Sequence, residues 1–141
     1  MSTPLPQLIT VARQYNLAGL AVLWNFSMEE LQGIYNGLGP DRFPQWLRDL
    51  VTEASGLFEP AALIHDARNH VSDGSTYGFN GANIEFLCNC RILADRAYSW
   101  WNWKRYRARM IADALYDFVS SPAGWCAWLE AHAKTNRKEL P

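Results

Sequence analysis

With 141 residues, 49% of them hydrophobic and 19% charged, the chain has the size and composition of one folded domain with a core of its own, which excludes a disordered chain. Thirteen basic against fourteen acidic residues leave a formal charge of -1, so no global field draws it to nucleic acid. Cys88, Cys90 and Cys126 are an odd set without framework spacing or histidines at zinc-ligand distance, the N-terminus lacks a basic start and apolar run, and no stretch reaches the length of a membrane span. A protein made in the cytoplasm without a signal peptide is expected.

In chain order, Leu8, Val11, Ala12 and Tyr15 give a first helix over 5–15. Residues 16–26 are apolar without a period, and read as a buried connector or a second helix. Ser27-Met28-Glu29-Glu30 is a capping box that opens a helix running to Tyr35. Asn36 to Pro40 stops it, and Asp41 is the expected cap of a helix that has Pro44 in its first turn and Phe43, Leu47, Leu50 and Val51 on one face. Pro60 starts a further helix that ends near Ser72-Asp73-Gly74. Asn80 is the expected cap of a long helix with a stripe of Asn83, Phe86, Cys90, Leu93 and Ala97. Trp101, Ala108, Ile111, Leu115 and Phe118 keep helical period beyond an unmarked break near 98–103. Ser121-Pro122 opens a last helix through Trp125, Trp128 and Leu129, and the tail TNRKELP is expected to fray. No alternating strand pattern occurs. The expected fold is all-α, one small helical domain over 1–141, with two antiparallel central helices and a glycine-rich loop upstream of them.

Three pieces carry chemistry. Tyr35-Asn36-Gly37-Leu38-Gly39 is a glycine loop, and without Cβ atoms its carbonyls can converge on a hard cation. His65-Asp66 lies mid-helix, where neighbouring side chains point about 100° apart and take different tasks. Asn83-Ile84-Glu85-Phe86 lies on the next helix. Together such groups can hydrolyse an ester: His65 draws a proton from water, and a cation held by Asp66 and the loop polarises the carbonyl.

In the order Y-x-G-x-G, H-D and N-x-x-F, the last standing for a D-x-x-F pattern and the three covering residues 35 to 90, the chain resembles the phospholipase A2 superfamily, above all its disulfide-poor stand-alone viral and bacterial members. The resemblance implies a calcium-dependent hydrolase of glycerophospholipids. It implies calcium on the carbonyls of Tyr35, Gly37 and Gly39 and the carboxylate of Asp66, an oxyanion contact from the Gly37 amide, His65 as general base, and Asn83 as the residue that orients it. The sequence departs from the family at three places. Asn69 replaces a tyrosine, Asn83 replaces an aspartate, and Ala61 and Ala62 stand where cysteines bracket the dyad. Asn83 can accept from an imidazole N–H but lacks the charge that stabilises an imidazolium. The alternative is therefore a decayed phospholipase A2-like fold serving as a structural or assembly protein of phage or virion type.

A second feature is Trp100-Trp101-Asn102-Trp103-Lys104-Arg105-Tyr106-Arg107. Trp100, Trp103, Arg105 and Arg107 suit a phospholipid or membrane surface, and equally an oligomer or virion contact with Trp101 in the core. Stacking on single-stranded nucleic acid is the third reading.

Overall fold

The computed structural model describes residues 3–35, 43–54 and 56–138. Among them every regular element is helical. They are α1 (Leu5–Gln14), a 3₁₀ helix (Leu20–Asn25), α2 (Met28–Ile34), α3 (Gln45–Glu53), α4 (Glu59–His70), α5 (Thr76–Ala97), α6 (Trp103–Val119) and α7 (Pro122–Lys138). The all-α expectation is met, and the 16–26 stretch resolves into the 3₁₀ helix. Among the described residues no helix is long and apolar enough to cross a membrane.

Local chemistry sets most of the boundaries. The Ser27 Oγ accepts the Glu30 N–H at 3.1 Å, while Glu30 accepts the Ser27 N–H at 2.7 Å, completing the capping box of α2. Four expectations need correcting. Pro44, not Asp41, stands at the N-cap of α3, and Asp41 lies outside the described residues. The long helix starts at Thr76 rather than after Asn80, because Ser75 supplies a cap earlier. Its Oγ accepts the Gly78 N–H at 2.9 Å and is itself held by Asp73 Oδ1 at 2.7 Å. Ala94, not Ala97, closes the buried stripe of α5. α7 continues through Thr135-Asn136-Arg137-Lys138 instead of fraying there.

The helices pack around α4. Its residues Glu59 to His65 and Ala67 are all buried, and α1, α2, α5, α7 and the 3₁₀ helix lie against it. A helix apolar on every side belongs in the interior, and Pro60-Ala-Ala-Leu-Ile64 is such a run. Leu8, Leu23, Leu31, Leu47, Phe58, Leu63, Ile64, Phe86, Ile111 and Leu115 form the core around it. A smaller cluster of Phe79, Ala82 and Trp128 seats α7, where His132 Nδ1 bonds the Ser72 carbonyl at 2.9 Å.

Polar ties fix the connectors. Asn89, fully buried, accepts the Ala18 N–H at 2.7 Å and donates to the Ala18 carbonyl at 2.9 Å, so one side-chain amide satisfies both backbone groups of that residue. Beside it Gly19 has φ +77°, and any Cβ there would run into the Glu85 carboxylate. Arg68 holds that carboxylate with a two-pronged contact at 3.1 and 3.0 Å.

Two substitutions on α5 should separate. Asn89→Ala leaves both Ala18 groups unpaired, and urea unfolding should show a loss of about 2 kcal/mol or more. Gly81→Ala meets open space on the helix surface and should gain up to about 1 kcal/mol.

Candidate functional site

Residue His65 sits mid-way along α4 with 9% of its surface exposed, facing Asn83 of α5, which is 2% exposed. His65 Nε2 lies 2.9 Å from Asn83 Oδ1. The other end of that amide, Nδ2, donates to the Val119 carbonyl at the end of α6, at 3.3 Å. A carbonyl can only accept, so Val119 fixes which way the Asn83 amide points. Its oxygen must then face the imidazole, and the imidazole must donate through Nε2–H. Nδ1 is left as the basic nitrogen. Three helices thereby define one tautomer of one histidine. Phe86 lies against the ring, centroids 4.9 Å apart.

The electrostatics act in the same direction. Burial pushes the His65 pKa below its ordinary 6.5, opposed by the bond to Asn83 and by the nearby charge of Glu85. The ring is therefore neutral at pH 7, the state a general base requires. Asn83 adds no charge, and Glu85 shares its own with Arg68.

Asp66, next in sequence, is half-buried, and its charge acts on Tyr35 at the end of α2. There the Tyr35 side chain is 8% exposed, and its hydroxyl has no hydrogen-bond partner among the described residues. Burial, then Glu59, then Asp66 hold its proton far more tightly than usual. Of the four residues expected at calcium, Tyr35 and Asp66 are described, and the Asp66 charge acts on the Tyr35 hydroxyl. Gly37, Leu38 and Gly39 lie outside the described residues.

Among the described residues no three His, Cys, Asp or Glu side chains gather as a metal site. A hard cation at Asp66 would have to draw on backbone oxygens. The donor chemistry, a carboxylate with carbonyls, is of the kind calcium takes.

Sequence reasoning missed Val119 and Glu59. Val119 contributes a backbone carbonyl, for which no side-chain pattern exists. Glu59 was legible: seven residues before Asp66, it falls on the same helix face. Trp101, which the helical period assigns to the core, is exposed, because α6 begins only at Trp103 with Asn102 as its cap. Arg105 and Arg107 hold Asp95 and Glu53 of their own chain, each at 2.9 Å.

Because the folded protein prefers neutral His65, the unfolded chain binds the extra proton first as pH falls through the ordinary pKa. The stability this group contributes is complete above about pH 6.5 and is lost on acidification below it. Unfolding free energies measured from pH 7.5 to 5.5 should fall more steeply for the native protein than for His65→Asn, by at most ~1.4 kcal/mol per pH unit. Parallel profiles would mean that His65 is not held neutral.

No family model matches the chain, and no curated protein or solved structure matches it either.

Proposed function

We propose that the protein is a calcium-dependent ester hydrolase of phospholipase A2 type acting on glycerophospholipids. The observation that carries this reading is the single tautomer of His65, with Nε2–H on Asn83 and Nδ1 as the base. That tautomer presents the unprotonated nitrogen a general base uses. In this reading α4 and α5 are the antiparallel central pair. The five-residue connection 71–75 and the meeting of His65 with Asn83, at similar distances from it, support that arrangement.

Residue His65 takes a proton from the attacking water through Nδ1, and Asn83 keeps the ring oriented. Asp66 and the carbonyls of Tyr35, Gly37 and Gly39 would hold calcium, with the Gly37 amide directed at the oxyanion. Calcium, when bound, supplies Lewis-acid polarisation of the ester carbonyl. The imidazolium that forms is stabilised by Glu85 only at a distance, so turnover is slower than with a carboxylate at position 83.

A second reading, a phage- or virion-type assembly protein on the same fold, draws on one observation. The His65–Asn83–Val119 chain ties three helices together and would persist without turnover.

Fatty-acid release from mixed phospholipid vesicles separates the two. The native protein should release fatty acid with calcium, and neither the chelated protein nor His65→Ala should do so. Asn83→Asp should raise the rate by about tenfold or more, since a carboxylate stabilises the imidazolium. That variant should also lose stability, because the new carboxylate meets the Val119 carbonyl. Equal release by native protein and His65→Ala would leave the assembly reading standing.

A further inference from the structure

The connection between α5 and α6 carries Trp100 and Trp101, and α6 opens on Trp103; the three are 72%, 70% and 67% exposed. Tyr106 and Met110 continue the exposed apolar surface along α6. The segment is well tied all the same. The Tyr106 hydroxyl donates to the Trp100 carbonyl at 2.8 Å, and the Asn102 side chain accepts the Lys104 N–H at 3.0 Å. Asp95 takes Arg105 at 2.9 Å and Arg109 at 3.4 Å. Arg107 places both prongs on Glu53 at 2.9 Å. Three indoles are therefore held outward on a firm frame, not left over from a loose loop.

The charge distribution says what they face. Six of the 13 basic residues lie between positions 91 and 110, with one acidic residue among them. The remainder of the chain has seven basic and thirteen acidic residues. Asp113 and Glu53 also fold against this stretch, on Arg91 and Arg107, which leaves six cations with three carboxylates here and seven with eleven elsewhere, so a negative surface attracts this end of the molecule and repels the rest. Two copies meeting tip to tip would bring like charges together. A single nucleic-acid strand is bound along a groove where cations alternate with aromatic faces. Here the indoles crowd one turn instead of lining a groove. Indole rings with a polar N–H, rimmed by cations, match the headgroup layer of a bilayer.

We propose that the α5–α6 tip anchors the protein on anionic phospholipid membranes, with Trp100, Trp101 and Trp103 entering the headgroup layer and Lys104 and Arg96 meeting phosphates. From Asn83 to the end of α5 is about 20 Å of helix at ~1.5 Å per residue, so the anchor stands apart from His65. It acts whether or not the His65 site turns over.

The test uses the full chain in EDTA with vesicles of phosphatidylcholine alone or with added phosphatidylglycerol. The readouts are co-sedimentation and quenching of tryptophan emission by brominated acyl chains. Binding and quenching should appear on the anionic vesicles and weaken with salt. The triple substitution Trp100→Ser, Trp101→Ser, Trp103→Ser should lower binding by at least about tenfold with an unchanged circular dichroism spectrum. Trp46→Ser, which alters an exposed indole on α3, should bind like the native protein. The proposal is overturned by no binding to anionic vesicles, by equal binding of the triple variant, or by preference for a single-stranded oligonucleotide. A tip-dependent dimer that ignores vesicles overturns it as well. EDTA keeps calcium-dependent hydrolysis out, so failure here and failure of the hydrolase reading are told apart.

Discussion

A buried primary amide has an acceptor at one end and donors at the other, and inside a protein both ends need partners. Asn83 meets that requirement by reaching two different helices: the imidazole of His65 on α4 and the carbonyl of Val119 at the end of α6. α4, α5 and α6 cannot shift independently without stranding one of these groups. The same requirement sets the chemistry of His65. Once Val119 has taken the donor end, only one tautomer of the imidazole completes the chain. Structure and chemistry share the constraint.

Elsewhere the fold uses the same device. Asn89, nearly two turns further along α5, pins the backbone at Ala18, and Glu85 between them takes Arg68 and lies against Gly19. One helix thus presents three polar side chains to its neighbours, Asn83 and Glu85 to α4, Asn83 also to α6, and Asn89 to the connector at Ala18. Ala61 and Ala62 are buried in α4, and hydrogen bonds from α5 tie that helix to its neighbours. The cost is sensitivity: breaking a polar tie in the interior strands its partner.

Much of this was legible in the sequence. Ser27 with Glu30, Pro60 at the start of α4, and Ser121-Pro122 before α7 are local signals, and the helices begin where they indicate. The pairing of His65 with Asn83 was implied by the resemblance rather than by helical period. What escaped was decided by competition or distance. Ser75 outcompetes Asn80 as a cap because Asp73 holds its hydroxyl in place. Trp101 fits a helical period but stands before the cap at Asn102, so the period does not apply to it. Val119 lies 36 residues from Asn83 and acts through its backbone, which the sequence does not mark.

The central claim is that His65 is a neutral imidazole with its proton on Nε2 and its lone pair on Nδ1. Nitrogen-15 NMR of histidine-labelled protein at pH 7.5 tests this directly, with His65→Asn identifying the resonances. The account predicts a protonated Nε2 with a bound, slowly exchanging proton and an unprotonated Nδ1. A proton on Nδ1, or an imidazolium at that pH, would contradict it.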